Sequence, residues 1–175
     1  TVIVNAVNDA PVANAALVAT DEDQTIIVSL EASDIDGDAL TYSLDSDASN
    51  GSVIIDGSLA TYVPDQDFNG SDSFIFSVSD GEYVASAEIT VTVNAVNDAP
   101  VITSLAPATA TEDIEYNYQV NVEDPDNASF DFTLDNAPDG MSVSDTGLIT
   151  WIPLEGVLTS GVVTLTVSDG ELVAV

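Results

Sequence analysis

The sequence predicts an all-β protein built from two tandem seven-stranded Greek-key β-sandwiches, the second truncated at its last strand. Three observations carry this prediction. Apolar and polar residues alternate with period two along much of the chain. Turn-forming pairs such as Asn-Gly and Asp-Gly recur at short intervals, and no stretch has helical periodicity. One sequence occurs twice, as Thr1–Val12 and Thr90–Val101, with Ile3 in place of Thr92 as the single difference.

The repeated sequence sets the predicted domain limits. Its two copies begin 89 residues apart, which is the size of a small β-domain. Residues 1–7 are therefore interpreted as the last strand of a preceding repeat, residues 8–97 as one sandwich, and residues 98–175 as a second sandwich that is incomplete at its C-terminus. Pro100 fixes its own φ and favours an extended Ala99, so the linker is expected to be short and stiff.

The strands of the first unit follow from the alternation. A strand before Asp21 comes first, and a strand pair around Asn50-Gly51 and Asp56-Gly57 ends at Pro64. The inward positions of the other strands are predicted to be Ile26, Val28, Leu30 and Ala32; Leu40, Tyr42 and Leu44; Phe74, Phe76 and Val78; and Ala87, Ile89, Val91 and Val93.

The second unit repeats this pattern with other residues. Asp124–Asp126 corresponds to Asp34–Asp36, and Tyr116, Tyr118, Val120 and Val122 form a predicted inward face. Trp151 and Tyr62 fall at equivalent positions inside strands, which favours core aromatics over platforms for a ligand. Seven short strands with regularly spaced turns indicate a β-sandwich in each unit.

Composition limits the possible functions. The chain of 175 residues contains 31 Asp or Glu and no Lys, Arg, His or Cys, which gives a net charge of -31. Nucleic acid and anionic membranes are poor partners because binding phosphate needs Lys or Arg. With 45% hydrophobic residues the chain can still bury a core in each unit, so it is not an acidic disordered tail. No stretch is long and apolar enough to insert into a bilayer, and the sequence shows no signal peptide.

The alternating direction of successive strands is expected to place many of the carboxylates at the ends of the units. If the strands alternate in direction, acids from separate loops of both units face the junction between them. The predicted junction ligands are Glu22, Asp67, Asp72, Asn97, Asp98, Asp124, Asp126 and Asp169. A half-site is predicted at the opposite, N-terminal end of the first unit, with ligands Asp9, Asp34, Asp36 and Asp80, close to Asn8 and Asp38.

Grouped carboxylates without any basic residue require a metal ion as the counter-charge. Two unit charges about 5 Å apart repel by about 0.8 kcal/mol in water and about 3 kcal/mol at an effective dielectric of 20. Oxygen-only ligands suit Ca²⁺, whereas zinc and copper favour His or Cys. An EF-hand reading of Asp34–Asp38 fails because Ala39 replaces the required Gly and the flanking segments are strands. For any single acidic residue, the alternative to metal binding is a role as solvated surface or as a turn former, as for Asp80-Gly81.

Several of these motifs occur together in known families. The motifs of the first unit are Val-Asn-Asp-Ala-Pro-Val, Glu22-Asp23, Ala32–Asp38, Phe68–Phe74 and Val78–Gly81. As a set they resemble the cadherin-like tandem repeats of very large bacterial surface and secreted proteins. The second unit, with Pro138–Met141, Gly147–Pro153 and Val167–Gly170, is similar to the dystroglycan-type cadherin-like or bacterial Ig-like repeats. Its Leu154–Val157 segment departs from the pattern of that subfamily, in which a Gln follows the Trp-x-Pro.

The resemblance implies an extracellular, calcium-rigidified rod module of an adhesin or biofilm protein, without catalysis by the module itself. Its expected partners are neighbouring repeats of the same chain, together with surface glycans or homotypic cadherin-like contacts. The runner-up function is a carbohydrate-binding module attached to a secreted polysaccharide-active enzyme, which would need exposed aromatic residues. An enzyme could use paired carboxylates, but the short turns of small sandwiches leave no walls for a substrate cleft.

Overall fold

Alternating residues form strands throughout the computed structural model, which describes residues 1–3 and 5–175. The all-β prediction is confirmed, and the chain divides into two compact units, Thr1–Val96 and Asn97–Val175. The described residues contain no helix long and apolar enough to cross a membrane. The two units are called unit 1 and unit 2 below, and each is described by itself.

Unit 1 contains a four-stranded sheet, a three-stranded sheet and one short strand pair. Its strands, among the described residues, are β1 (Val12–Ala13), β2 (Ala16–Asp21), β3 (Ile26–Ser29), β4 (Ala32–Ser33), β5 (Thr41–Ser46), β6 (Gly51–Asp56), β7 (Leu59–Pro64), β8 (Gly70–Ser79) and β9 (Val84–Asn94). The larger sheet has the order β2-β9-β8-β5, the smaller β3-β7-β6, and β1 pairs with β4. The β2–β9 pair is parallel and the others are antiparallel. The chain therefore passes from the short β1–β4 pair into the four-stranded sheet as β2.

The core of unit 1 lies between the inner faces of its two sheets. Phe74, Phe76 and Val78 of β8 are fully buried, as are Ile89 and Val91 of β9. These are the inward positions that the period-two alternation predicts. Each such side chain contributes about 1.5–3 kcal/mol through the apolar surface that it removes from water. Tyr62 is also completely buried, which confirms it as a core aromatic.

Unit 2 has a similar layout with shorter strands, none of which corresponds to β2 among the described residues. They are, among the described residues, β10 (Val101–Ile102), β11 (Tyr116–Gln119), β12 (Val122–Glu123), β13 (Asp131–Asp135), β14 (Ser142–Val143), β15 (Leu148–Trp151), β16 (Thr164–Ser168) and β17 (Val173–Ala174). The two sheets have the orders β11-β15-β14 and β13-β16-β17, and β10 pairs with β12. Tyr118, Val120, Ile149 and Val167 form the buried core, and Trp151 is 7% exposed, which confirms it as a core aromatic.

Some details of the predicted architecture differ or stay untested. The exact count of seven strands per unit is not confirmed, because short interruptions divide the runs into nine segments in unit 1 and eight in unit 2 among the described residues. The boundary of the compact units falls after Val96. Val4 lies outside the described residues, and residues 1–3 and 5–7 are not assigned to a strand. Their identification as the last strand of a preceding repeat therefore stays a prediction.

Candidate metal centres

The loop after β4 presents one carboxylate in a fixed orientation at the N-terminal end of unit 1. Oδ1 of Asp34 accepts hydrogen bonds from the backbone amides of Asp36 (2.9 Å) and Gly37 (3.1 Å). This turn needs a positive φ at Gly37, which is +82°. Since both bonds use Oδ1, they leave Oδ2 available for another ligand.

The loop after β8 supplies a second fixed carboxylate at the same end. Oδ1 of Asp80 accepts bonds from the amides of Glu82 and Tyr83, each at 2.7 Å. These amides, Tyr83 first, lower the pKa of Asp80 because they stabilise its ionised form. The side-chain amide of Asn8 donates to Oδ2 of Asp80 (3.0 Å), and the backbone amide of Asp9 donates to Oδ2 of Asp36 (2.8 Å). The segment preceding β1 is thereby tied to both loops.

We call the residues gathered here the proximal cluster of unit 1: Asn8, Asp9, Asp34, Asp36, Asp38 and Asp80. The carboxylates of Asp34, Asp36 and Asp38 each offer one oxygen within 4.8 Å of the others. The structure thus brings the four predicted half-site ligands to one end of unit 1. That spacing lets one cation contact three carboxylates, and without a cation it is repulsive.

Unit 2 reproduces the main hydrogen bonds of this arrangement. Asn97 donates to Oδ2 of Asp169 (2.8 Å), and the amide of Asp98 donates to Oδ2 of Asp126 (2.9 Å). Oδ1 of Asp124 accepts from the amide of Asp126 at 2.9 Å. The proximal cluster of unit 2 is defined as Asn97, Asp98, Asp124, Asp126, Asn127 and Asp169. It contains five of the eight predicted junction ligands.

Asp169 repeats the electrostatics of Asp80 as well. The amides of Glu171 and Leu172 both donate to its Oδ1 at 2.7 Å. These two bonds, with a smaller effect of Asn97, hold the pKa of Asp169 below its ordinary value. The loops after β8 and β16 therefore each present a carboxylate whose pKa lies below its ordinary value.

Asn127 is a site residue that the sequence argument missed. It replaces Gly37 of unit 1, and its backbone amide donates to Oδ1 of Asp124 (2.7 Å). Its side chain adds a bond to Oδ1 of Asn97 (2.8 Å). Its position directly after Asp124–Asp126 could have indicated this role, because Asn, like Gly, is tolerated in such turns.

In both proximal clusters, the first Asp of the loop has a buried carboxylate oxygen without a hydrogen-bond partner among the described residues. These atoms are Oδ2 of Asp34 and Oδ2 of Asp124, which occupy equivalent positions in the two units. A buried, ionised oxygen without a donor costs several kcal/mol unless a cation compensates it. The surrounding side-chain atoms that could bind a metal are all oxygens, so the residues present fit a hard divalent cation such as Ca²⁺.

The opposite end of unit 1 carries a separate acidic group, which we call the distal group: Glu22, Asp23, Asp67 and Asn69. Glu22 is only 4% exposed, and its carboxylate accepts bonds from the backbone amide of Val96 and from the side chain of Asn69 (3.4 Å). Asp23 accepts a bond from the amide of Asp67 (3.2 Å), and a carboxylate oxygen of each lies within 4.8 Å of the other. Asp23 was not among the predicted ligands, although it adjoins Glu22.

Asp72 has a different role from the predicted one. It is 6% exposed, and its carboxylate accepts bonds from the amides of Ser49, Asn50 and Ser73 and from the hydroxyl of Tyr62 (3.1 Å). Burial, the largest single effect, acts to raise the pKa of Asp72, but these donors together lower it. Burial and the neighbouring Asp72 raise the pKa of Tyr62. Asp72 is therefore a structural carboxylate that closes the loop before β6, and we exclude it from the metal ligands.

Two family models match the chain in tandem. Residues 8–94 match the family described as "Bacterial Ig domain", and residues 99–174 match the family described as "Putative Ig domain". No protein of curated function has a significantly matching sequence.

Solved structures resemble the chain in fold. Drosophila N-cadherin EC1-4 is 19% identical with a TM-score of 0.57, and the match covers 93% of this chain and 46% of that one. Human protocadherin-24 EC1-2 has the same identity and TM-score, with 93% and 88% covered. An endo-fucoidan hydrolase of glycoside hydrolase family 107 is 23% identical with a TM-score of 0.44, and the chain spans 27% of its length. At these identities the cadherins show the fold alone, and the hydrolase lies below the similarity that carries an argument.

Proposed function

Because the chain belongs to the Ig-like repeats, with a bacterial Ig domain followed by a second Ig domain, we propose that it is a calcium-binding, non-catalytic module of a large extracellular adhesin or biofilm-type protein. The observation that supports this best is the duplicated proximal cluster. Asp34 and Asp124 are held by equivalent backbone bonds, and each directs one buried oxygen that no described donor reaches.

Charge supports a cation at these clusters. The sequence has 31 acidic residues and no Lys, Arg or His, so side-chain ion pairs cannot neutralise any cluster. An ordinary acidic surface spreads its charges apart, whereas Asp34, Asp36 and Asp38 keep three carboxylate oxygens within 4.8 Å of one another. Backbone bonds at Asp34 and Asp80 hold this arrangement in place, which is the preorganisation that a metal site needs.

The donor set selects among cations. Carboxylates, the amide oxygens of Asn and backbone carbonyls are hard ligands, which favour Ca²⁺ or Mg²⁺ over zinc or copper. Several acidic loops converge without an obvious octahedral template, and Ca²⁺ tolerates such irregular coordination better than Mg²⁺ does. In unit 1 the ligands would be Asp34, Asp36, Asp38 and Asp80, with Asp9 adjacent. In unit 2 they would be Asp98, Asp124, Asp126 and Asp169, with Asn97 adjacent.

A bound ion would stabilise the fold as well as fill a site. Asp34 and Asp80 are 46 positions apart in sequence and meet only in the native state. Binding free energy therefore becomes folding free energy, at about 2.7 kcal/mol when calcium exceeds its dissociation constant a hundredfold. The sites thus make stability depend on the millimolar calcium found outside cells.

We also propose that calcium stiffens the array of tandem repeats, and the sequence of the linker supports this. Asn97-Asp98-Ala99-Pro100 is short, contains Pro, and supplies Asn97 and Asp98 to the proximal cluster of unit 2. We propose that ions there, together with the distal group of unit 1, restrict the linker. Replacing Asp98 with Ala should loosen the chain in small-angle scattering with calcium present, whereas Asp45→Ala should not.

Glycan binding is the weaker alternative. It would need an aromatic platform, but the aromatic side chains that the sequence places in strands are in the core, including Tyr62, Trp151 and Phe74. Tyr83, at 42%, is the most exposed aromatic of the described residues, and a single ring is less than a sugar platform needs.

The proposal is tested by titrating calcium into metal-free protein. Calorimetry should show saturable binding, and the thermal midpoint should rise by several degrees between chelator and millimolar Ca²⁺. A parallel titration with insoluble and soluble polysaccharides tests the alternative. Equal midpoints in chelator and in calcium would contradict the proposed function.

A further inference from the structure

Unit 1 contains two Asn-Gly pairs, Asn50-Gly51 and Asn69-Gly70. This dipeptide is chemically reactive, because the backbone nitrogen that follows the Asn can attack the side-chain amide, and a Gly has no side chain to block the approach. The two pairs have the same covalent structure. Any difference between their reactivities in the folded protein must therefore come from their surroundings.

The fold needs both glycines, but for different reasons. Gly51 is packed tightly, since a Cβ there would lie 2.6 Å from the carbonyl oxygen of Val63 and 2.8 Å from the ring of Tyr62. Gly70 is exposed and has a φ of +133°, which residues with side chains rarely adopt. A Cβ at Gly70 would meet the ring of Phe68 at an ordinary contact distance of 3.7 Å. There is room for a reaction at Gly70 and none at Gly51.

Hydrogen bonds hold the backbone of Asn50 on both sides. Its amide donates to Oδ2 of Asp72 (2.9 Å), and its carbonyl accepts from the amide of Asp65 (2.9 Å) and the hydroxyl of Tyr62 (3.4 Å). Asp72 and Tyr62 are themselves buried. Closing a ring between Asn50 and Gly51 would break these bonds, so the reaction there requires a local opening of unit 1.

Asn69 lies in a more open environment. It is exposed, and it belongs to residues 65–69, which connect β7 to β8 outside either strand. Its side-chain Nδ2 donates to Oε2 of Glu22 at 3.4 Å. The nitrogen of Gly70 can therefore approach the side chain of Asn69 without opening the core.

We propose that Asn69 is a site of spontaneous deamidation in the folded protein, and that the fold protects Asn50 from the same reaction. The backbone nitrogen of Gly70 forms a bond to Cγ of Asn69 and gives up its proton. The Cγ–Nδ2 bond breaks, and Nδ2 leaves with that proton as ammonia. One water molecule then opens the resulting five-membered succinimide at either of its carbonyl carbons, which yields aspartate or isoaspartate at position 69. The reaction needs no enzyme, oxidant or metal ion.

Deamidation would change the distal group. The atom that leaves, Nδ2 of Asn69, is a hydrogen-bond donor to Oε2 of Glu22, and a carboxylate oxygen takes its place. Glu22 is 4% exposed, and its other oxygen already accepts a bond from the amide of Val96. A second carboxylate beside a buried one is repulsive, so the deamidated protein should unfold at a lower temperature when no cation is present.

Peptide mass analysis of the folded chain, incubated in chelator at physiological temperature, tests the proposal. The chain has no Lys or Arg for trypsin, so cleavage after aromatic residues is used, and Tyr62 separates the two Asn-Gly pairs. Deamidation at Asn69 should accumulate at least about tenfold faster than at Asn50, since a protected site reacts only from its small open population. In urea the two rates should become similar.

Two outcomes would overturn the proposal. One is that Asn69 stays unmodified in the folded chain over a period in which the unfolded chain reacts. The other is that Asn69 and Asn50 react equally fast in the folded chain, because the surroundings would then have no effect. An absence of calcium binding in the separate titration would contradict the proposed function and would leave deamidation at Asn69 unaffected.

The variant Asn69→Asp reproduces one product and tests the effect on Glu22. In chelator it should lower the thermal midpoint by several degrees. The matched control is Asn14→Asp, which adds the same charge at an exposed position between β1 and β2 and should leave the midpoint nearly unchanged. Equal shifts in the two variants would refute the repulsion at Glu22.

Discussion

Replacing Asp34 with Asn removes the charge of a proposed metal ligand but keeps the turn that holds the side chain. The Asn side chain keeps an oxygen for the backbone amides of Asp36 and Gly37, which bond to Oδ1 of Asp34. It changes the buried Oδ2, which no described donor reaches, into an uncharged amide. The variant should therefore fold normally and lose calcium affinity at the proximal cluster of unit 1.

The magnitude follows from the distances in the cluster. Oxygens of Asp34, Asp36 and Asp38 lie within 4.8 Å of one another. One pair of unit charges at that distance repels by about 0.9 kcal/mol in water and by about 0.5 kcal/mol after screening at physiological salt. Removing one of the three charges eliminates two pairs. Without metal, Asp34→Asn should therefore be about 1 kcal/mol more stable than the unaltered chain.

Calcium should reverse the order of stability of the variant and the unaltered chain. At a hundredfold excess over the dissociation constant, calcium stabilises the unaltered site by about 2.7 kcal/mol. If losing one carboxylate weakens binding about a hundredfold, the variant gains only about 0.4 kcal/mol. Asp34→Asn should then be about 1.3 kcal/mol less stable than the unaltered chain. Such a change of sign cannot arise from a general effect of the mutation on the fold.

The assay is urea unfolding of the unaltered chain and the variant, each in chelator and in calcium. Asp45→Asn is the matched control, because Asp45 is an exposed carboxylate of β5 outside the clusters, and it should stay within about 0.5 kcal/mol of the unaltered chain in both conditions. If Asp34→Asn shifts stability by the same amount and in the same direction with and without calcium, the cluster does not hold the ion.

Three further outcomes are expected. Asp72→Asn should destabilise unit 1 by about 2 kcal/mol at neutral pH, because it leaves buried donors unpaired, and should leave the calcium-induced increment unchanged; since the folded pKa of Asp72 is depressed, its contribution is present above its ordinary value of 3.8 and is lost as the pH falls through the folded pKa, so unfolding curves of the two proteins should converge in acid. Gly147→Ala should destabilise unit 2 by more than Gly156→Ala, since both have positive φ but only the Cβ at Gly147 would lie 2.9 Å from the Phe132 ring; equal losses in thermal unfolding would contradict the packing argument. Mg²⁺ should raise the thermal midpoint less than Ca²⁺ at the same concentration, and an equal rise would indicate a diffuse counter-ion effect.

The strands could be predicted because their signal is local. Phe74, Phe76 and Val78 recur at every second position, and one buried face imposes that period on the sequence. The same rule should have corrected the prediction for Asp72. It shares the inward parity of Phe74, so it points into the sandwich, where a carboxylate must find donors within the fold. Asp72 was predicted as a metal ligand because only its charge was considered.

The site could be predicted only in part, because backbone geometry determines which acids are fixed. Asp34 and Asp80 follow strands, and turn chemistry at Gly37 and after Asp80 orients them, so their sequence motifs were informative. Asp23 was missed because its role depends on a contact across loops, whereas the position of Asn127 directly after Asp124–Asp126 could have indicated its role. Asp23 reaches the amide of Asp67, which is 44 positions away, and such a contact leaves no mark on local composition.

The pairing of β2 with β9 shows that strand formation depends on contacts between segments that are distant in sequence. Because Glu112 corresponds to Glu22, residues 106–111, APATAT, occupy the place of β2, ALVATD, yet only the latter forms a strand among the described residues. β2 pairs in parallel with β9 over six positions, from Ala16 with Ile89 to Asp21 with Asn94. The same contact brings Val96 to the carboxylate of Glu22, so this pairing also builds the distal group. In unit 2 the equivalent Glu112 is exposed and bonds instead to the amide of Gly156 (3.2 Å). In unit 1, completing the sheet edge and forming the acidic distal group are therefore one folding event.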